Sequence, residues 1–164
     1  MTGGEPLLSY KWVLSLAKNA KKLGLAVKLD TNGYFPKQLK KLIGLGLLDY
    51  VAMDIKSSKQ GYPQAVGRPL DMSKIEESIQ TIKDSGLDYE FRSTVVPSLF
   101  QEKDIDAIGQ LVKGSKRYIL QSFSNRNPTI DPKYQHLAPY PDETMRHFKR
   151  QLAPYVQNIE WRGD

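Results

Sequence analysis

The stretch that decides the fold is GLAVKLDTNG, residues 24–33, in which a glycine precedes a short apolar run that closes on Asp30. Upstream, residues 7–23 carry apolar side chains at helical spacing and lysines in the closing turns, so Gly24 is the natural residue after a helix. The run 25–29 predicts a strand, and residues 30–33 predict the turn that follows it. Helix, glycine, strand and polar turn together form one structural unit.

The same unit recurs along the chain. Three further predicted helices have apolar residues on one face, end at a glycine and lead into an apolar strand. These helices are 36–43, one that begins near Asp71 or Ser73, and 105–112, and the strands are 50–53, 89–96 and 118–123. A helix at 142–152 and a strand at 156–162 follow a proline-rich loop. Because parallel crossovers must lie against a sheet face, this alternation predicts an α/β fold with a parallel sheet.

The position of the charged residues distinguishes two architectures. An open doubly wound sheet concentrates its site at one switch point, whereas a barrel gathers the carboxyl ends of all its strands at one mouth. The start of the chain is expected to be a strand that Pro6 stops, which puts Glu5 at its end. Charged side chains thus stand at or near the ends of four predicted strands, namely Glu5, Asp30, Asp54 with Lys56, and Arg92. This distribution favours a barrel or barrel fragment, and the open sheet remains compatible with the alternation itself. The 164 residues predict a single domain over 1–164.

Composition limits the possible functions. The chain has 24 basic and 18 acidic residues, no cysteine, and no apolar run near the roughly 18 residues that span a bilayer. No signal peptide is evident, so the cytoplasm is the expected compartment and no membrane partner is expected. The net charge of +6 could attract nucleic acid, but the lysines lie at helix ends and no binding motif accompanies them, so no nucleic-acid partner is expected. Without cysteine, the sequence has no disulfide, thiol nucleophile or thiolate-held metal cluster.

The candidate site is ionic. The glycines of Gly3-Gly4-Glu5-Pro6 permit close backbone approach to a ligand, and the carboxylate can bind an ammonium group. The histidines, His136 and His147, lack metal-ligand spacing. Carboxylates beside one ammonium and one guanidinium suit a zwitterionic ligand, or a small cation next to a carboxylate-bearing ligand. The alternative is that these groups are helix caps and surface ion pairs.

Four motifs in this order resemble a known family. They are Thr2-Gly3-Gly4-Glu5-Pro6, Leu29-Asp30-Thr31-Asn32-Gly33, residues 50–56 (YVAMDIK) and residues 91–97 (FRSTVVP). They look like consecutive strand-end motifs of the radical S-adenosylmethionine (radical SAM) enzymes that activate glycyl-radical enzymes. Residues 120–123, 129–132 and 158–163 are most similar to the activating protein of anaerobic ribonucleoside-triphosphate reductase, with pyruvate formate-lyase activating enzyme as the near relative.

This resemblance implies a partial (β/α)6 TIM-like barrel. In the family, a [4Fe-4S] cluster reduces S-adenosylmethionine to a radical that removes a hydrogen atom from a backbone glycine of the partner, and an electron donor protein serves the cluster. The implied contacts are as follows: Gly3, Gly4 and Glu5 with the methionine amino group, Asp30 and Thr31 with the amino-acid end or a monovalent cation, Asp54 with that cation, and Lys56 and Arg92 with the carboxylate or ribose side. No catalytic side chain is implied.

The sequence departs from the family in one respect. The family holds its cluster in a CxxxCxxC loop upstream of the Gly-Gly-Glu motif, and this sequence begins at that motif without cysteine. We therefore expect a barrel truncated at the N-terminus, inactive alone, and prone to self-association through the exposed edge of the strand that ends at Asp30.

Two alternatives remain. One is a cluster-free remnant that acts as a non-catalytic binding module. The other is an unrelated barrel enzyme acting on an anionic metabolite, which would need a phosphate-binding glycine loop that Gly109 and Gly114 do not form.

Overall fold

The computed structural model of the protein describes residues 1–126, 129 and 131–163. Its helices are α1 (Tyr10–Lys22), α2 (Pro36–Gly44), α3 (Tyr62–Val66), α4 (Met72–Lys83), α5 (Ile105–Leu111) and α6 (Asp142–Leu152). Its strands are β1 (Lys28–Thr31), β2 (Tyr50–Asp54), β3 (Asp88–Val95), β4 (Tyr118–Ser122) and β5 (Ile159–Arg162). In the described part of the chain, no helix combines the length and the hydropathy that crossing a bilayer requires.

The five strands form one sheet in the order β1-β2-β3-β4-β5. The pairs β1–β2 and β4–β5 are parallel, with Lys28 opposite Tyr50 in the first and Tyr118 opposite Ile159 in the second. A doubly wound sheet would reverse its strand order at a switch point, whereas a (β/α) barrel keeps its strands in chain order. The α/β prediction is confirmed, and the consecutive order is the one that a partial (β/α)6 barrel requires.

The chain folds as two compact units, which we call unit 1 (Met1–Ile55 and Asp71–Phe91) and unit 2 (Lys56–Leu70 and Arg92–Asp164). Each has its own buried apolar side chains. Those of unit 1 include Leu29, Leu39, Val51, Ile75, Ile82 and Phe91, and those of unit 2 include Tyr62, Phe100, Ile108, Tyr118, Leu120 and Phe148. The single domain over 1–164 stays a prediction.

The first strand lies further along the chain than its apolar run suggests. Leu25 is 56% exposed, and β1 comprises Lys28–Thr31 rather than residues 25–29. Strand pairing explains the shift, because the ladder with β2 begins at Lys28 opposite Tyr50. Just before it, the Val27 amide donates a hydrogen bond to the Asp49 carboxylate at 2.6 Å, and the Val27 carbonyl accepts from the Asp49 amide at 2.9 Å.

The boundaries of the helices agree better with those predicted from the sequence than the boundaries of β1 do. Asp71 caps α4 by accepting a hydrogen bond from the Ser73 amide at 3.1 Å, and α6 has the predicted bounds. Helix α3 was not predicted, because its five residues are too few for an apolar period to show. The start of the chain forms no strand, and Pro6 instead opens a 3-10 helix, Pro6–Ser9, capped by Glu5.

Strand β1 is at one end of the strand order, and Met1 lies along it. The Met1 amino group donates to the Lys28 carbonyl, and the Asp30 amide donates to the Met1 carbonyl at 2.9 Å. These bonds cover two polar groups of an otherwise open edge. Self-association through that edge stays a prediction.

Helix α5 contains a glycine that its packing requires. A Cβ atom on Gly109 would lie 2.5 Å from Cδ2 and 2.6 Å from Cγ of Tyr155, a ring that is also held by the hydrogen bond from its hydroxyl to Asp106. We expect Gly109→Ala to lower the free energy of unfolding by about 1–3 kcal/mol, because the ring must move to admit the methyl group. Urea denaturation measures the change.

The matched control is Gly44→Ala at the end of α2, where nothing lies within 4 Å of the added Cβ. That substitution should be neutral or stabilising by up to about 1 kcal/mol, the ordinary helix preference for alanine. Equal stability of the two variants would contradict the packing argument.

Asp49 predicts a pH dependence of stability. A hydrogen bond from Lys21 (2.6 Å), and after it the one from the Val27 amide, holds the pKa of the Asp49 carboxyl below its usual value. A lowered pKa in the folded state stabilises the fold above the unfolded value of about 3.9, and this contribution is lost as the pH falls through the folded value. We expect Asp49→Asn to be less stable than wild type at pH 5–8, with a gap that closes below about pH 4.

Thermal unfolding of both proteins between pH 3 and 8 measures that gap. In a Lys21→Met background the difference in stability between Asp49→Asn and its parent should be smaller at neutral pH, because the lysine hydrogen bond that lowers the pKa of Asp49 is removed. If the difference in stability between wild type and Asp49→Asn is the same at pH 3 as at pH 7, the charge of Asp49 is not what stabilises the fold.

Candidate functional site

Glu5 joins the start of the chain to the end of β1. Its Oε2 accepts a hydrogen bond from the Asn32 amide at 2.6 Å, and its Oε1 accepts one from the Leu7 amide at 3.0 Å. The Thr31 hydroxyl lies 3.0 and 3.1 Å from the two carboxylate oxygens. The structure therefore brings together Glu5 and Thr31, two predicted site residues that are 26 positions apart.

Thr31 extends this arrangement into the turn after β1. It is 3% exposed, and its Oγ1 accepts a hydrogen bond from the Gly33 amide at 3.1 Å. Asn32 Oδ1 accepts from the Tyr34 amide at 2.9 Å. A single hydroxyl thus donates to Glu5 and accepts from the turn, and this fixes the end of the strand.

Gly3 and Gly4 provide an open stretch of backbone next to Glu5. Their φ angles are +102° and +55°, a region that favours glycine, and nothing lies within 4 Å of a Cβ built on either. Both residues are exposed. The conformation and the free space match what close backbone approach to a ligand requires.

Asp30 lies on β1 beside the Lys28 ammonium. Lys28 Nζ is 3.7 Å from Asp30 Oδ1 and 3.8 Å from Glu90 Oε1. Asp54 ends the neighbouring strand, one residue beyond Met53, the register partner of Thr31. Asp30 and Asp54 therefore lie at the carboxyl ends of adjacent parallel strands in unit 1, as the sequence predicts.

In unit 2, Lys56 lines a cavity of about 580 Å³. Apolar side chains form much of its wall, and Thr94, Asp131, Lys133 and Tyr134 add polar groups. Arg92 precedes Thr94 by two residues on β3, so both side chains stand on the same face of the strand. A hydrogen bond from the Lys133 ammonium, 2.7 Å from Asp131 Oδ2, holds the pKa of the Asp131 carboxyl below its usual value.

Sequence reasoning missed four groups that contact the predicted residues or line this cavity. Asn32 was read only as a turn residue, and Lys28 only as part of a strand. Glu90 is 2% exposed, and its partners come from other strands. The Asp131–Lys133 pair belongs to the proline-rich loop, for which the sequence predicts a functional loop but no ion pair at a cavity. The buried position of a charged residue within the run 89–96 was the one available signal, because a carboxylate there requires partners.

The two histidines do not form a metal site. His147 Nε2 lies 2.9 Å from Glu102 Oε1 in a surface pair, and the described residues contain no group of three or more His, Cys, Asp or Glu side chains able to hold a metal ion. The sequence has no cysteine for an iron–sulfur cluster. The described residues therefore do not fit such a cluster.

Comparison with known proteins identifies the family. The model of the radical SAM superfamily matches residues 1–112. The chain belongs to the radical SAM superfamily. A protein of Methanocaldococcus jannaschii that bears the name of a glycyl-radical enzyme activating enzyme is 32% identical over 163 residues, which cover 97% of this chain and 68% of that protein. Within this superfamily, the radical SAM chain therefore belongs to the group of enzymes that activate glycyl-radical enzymes.

Two further relatives are more distant. A 7-carboxy-7-deazaguanine synthase of Thermococcus kodakarensis is 28% identical over 120 residues, which cover 73% of the radical SAM chain and 46% of the synthase. The crystal structure of a domain of pyruvate-formate lyase-activating enzyme from Bacteroides vulgatus superimposes with a TM-score of 0.70 and 16% identity, covering 98% of this chain and 96% of that one. The superposition on the Bacteroides vulgatus structure confirms the fold. Because the chain belongs to the radical SAM superfamily, it is not an unrelated barrel enzyme acting on an anionic metabolite, which was one of the alternatives from the sequence.

The Thr31 hydroxyl should be required for the geometry of the Gly-Gly-Glu motif. We expect Thr31→Val to lower the free energy of unfolding by about 1–3 kcal/mol, because it leaves the buried Gly33 amide without its acceptor and Glu5 without one donor. Chemical denaturation measures the loss. Thr31→Ser keeps the hydroxyl and should be more stable than the valine variant; a valine variant as stable as wild type would contradict the role of the hydroxyl.

Proposed function

We propose that this chain forms the S-adenosylmethionine-binding portion of an enzyme that generates a glycyl radical on an anaerobic ribonucleotide reductase or a pyruvate formate-lyase. The observation that carries the proposal is the Gly3-Gly4-Glu5 segment. Its left-handed, unobstructed backbone lies next to a carboxylate fixed at the end of β1. The cytoplasm is the expected compartment.

Each group has a physical task in binding. The exposed backbone of Gly3 and Gly4 can approach the methionine amino group, and the carboxylate of Glu5 supplies negative charge beside it. Asp30 and Thr31 would face the amino-acid end or a monovalent cation, with Asp54 as a second ligand of that cation. Lys56 and Arg92 would attract the carboxylate or contact the ribose. Acidic groups thus face the ammonium and sulfonium charges, and basic groups face the carboxylate.

S-adenosylmethionine held here would supply the radical that removes a hydrogen atom from the partner's glycine, once one electron from a [4Fe-4S] cluster has reduced it. Because the sequence contains no cysteine, these 164 residues do not supply the thiolates of a [4Fe-4S] cluster. The contribution of this chain is therefore binding and orientation, and we expect it to be inactive alone. The cluster-free binding module remains the second candidate, favoured by the same lack of cysteine.

Calorimetric titration with S-adenosylmethionine tests the binding role. We expect Gly4→Ala to weaken binding by at least about tenfold, equivalent to ~1.4 kcal/mol, because its Cβ occupies the space offered to the ligand. Gly24→Ala is the matched control, since Gly24 also has a positive φ (+71°) and free space around its Cβ, but it follows α1 and lies away from the motif.

Two results would count against the proposal. One is a wild-type chain that does not bind S-adenosylmethionine, and the other is equal binding by the Gly4 and Gly24 variants. The parent enzyme is tested separately by reading the DNA upstream of the Met1 codon. An in-frame CxxxCxxC motif supports the radical activase, and an in-frame stop codon supports the binding module.

A further inference from the structure

Helix α1 of unit 1 presents a row of large apolar side chains to solvent. Trp12 is 80% exposed and Leu16, about one turn further on, is 58% exposed. Leu8, in the 3-10 helix directly before α1, and Leu23, directly after α1, are exposed as well and extend the row at both ends. We call Leu8, Trp12, Leu16 and Leu23 the α1 ridge.

The α1 ridge is not what attaches the helix to its own unit. The buried residues of α1 are Val13 and Ala17, which lie on the other side of the helix from Trp12. Among the described residues, the large apolar side chains that are exposed all lie within residues 8–25, apart from Leu45. Single exposed apolar residues are ordinary, whereas a contiguous group of them marks an interaction surface.

Lysines border the α1 ridge. Helix α1 contains four lysines and no acidic residue, and the Lys21 ammonium is taken by Asp49 at 2.6 Å. The other three, Lys11, Lys18 and Lys22, are exposed, and their spacing of seven and four residues places them together along one side of the helix. In the part of the chain that the structure describes, none of these three has an ion-pair or hydrogen-bond partner.

This pattern favours an acidic helix as the occupant of the surface. Apolar residues four positions apart form the kind of ridge that packs into the groove of a second helix, and the lysine row calls for carboxylates along one flank of that helix. A second copy of α1 would bring more lysines and no carboxylate, so like charges would meet. A lipid surface would contact both sides of the ridge, whereas the lysines border only one.

We propose that the α1 ridge is the docking surface for an amphipathic helix of another protein, one whose apolar row is flanked on one side by aspartate or glutamate. The apolar row packs against Trp12 and Leu16, and the acidic flank pairs with the lysines. This surface uses none of the residues proposed to bind S-adenosylmethionine, so the inference stands independently of the proposed function.

Fluorescence anisotropy of labelled peptides tests the preference on the full chain. The probe is a helical peptide of about 18 residues, or five turns, with leucines along one side and glutamates beside them. Its matched control has lysine in place of every glutamate. We expect the glutamate peptide to bind at least about tenfold more tightly, and the difference to shrink as salt is added, because screening weakens the ion pairs.

A pair of leucine variants locates the contact. Leu16→Ala should weaken binding of the glutamate peptide about five- to tenfold, because it removes apolar surface from the α1 ridge. Leu45→Ala is the matched control, since Leu45 is exposed to nearly the same degree (56% against 58%) but lies at the end of α2. This control should bind the glutamate peptide as the wild type does.

A pair of charge variants tests the lysine row. Lys18→Glu combined with Lys22→Glu should reverse the preference, so that the lysine peptide binds more tightly than the glutamate peptide. Lys37→Glu combined with Lys40→Glu changes the net charge equally at two exposed positions of α2 and should keep the preference for the glutamate peptide.

Several results would overturn the proposal. It is wrong if the glutamate peptide does not bind, if the two peptides bind equally, or if the Leu16 and Leu45 variants bind alike. A chain that binds no peptide but sediments as a dimer, which Leu16→Ala dissociates, would instead assign the surface to a second copy. Binding to phosphatidylglycerol vesicles without binding to the glutamate peptide would assign it to a membrane.

Discussion

The carboxylate of Glu5 is the constraint on which the candidate site of unit 1 depends. It receives hydrogen bonds from two backbone amides, of Leu7 and Asn32, and from the buried Thr31 hydroxyl. These bonds tie the segment before the 3-10 helix to the residues that end β1. Since charge-assisted bonds of this kind are about twice as strong as neutral ones, the exposed Gly3-Gly4 backbone is anchored at its carboxyl side rather than free to drift.

The parts of the fold that depend on local signals could be predicted from the sequence. The bounds of α6 and the cap of α4 at Asp71 follow from apolar spacing and side-chain capping, which act within one or two helical turns. The alternation of helices and strands gave the α/β class for the same reason. The positions of Asp30 and Asp54 near strand ends came from breaks in apolar runs, and the structure places both there. Arg92 instead lies within β3, which continues to Val95.

The parts that depend on pairing across the chain could not be predicted. The start of β1 is set by its register with β2, so the apolar residues 25–27 fall outside the strand although their composition suits one. The contacts of Lys28 and Glu90 join positions 62 residues apart, and no period or motif in the sequence connects them. Tyr118 is similar: it is fully buried, which raises the pKa of its hydroxyl, and that hydroxyl pairs with Ser93 from another strand.

The acidic residues of unit 1 hold separate segments of the chain together. Asp49 accepts from the Lys21 ammonium and the Val27 amide, and Glu5 accepts from three donors. Lys28 Nζ lies within 4 Å of carboxylate oxygens of both Asp30 and Glu90. These carboxylates therefore contribute to the fold whatever the chain binds, so a substitution at one of them changes ligand binding through the structure as well as through any direct contact.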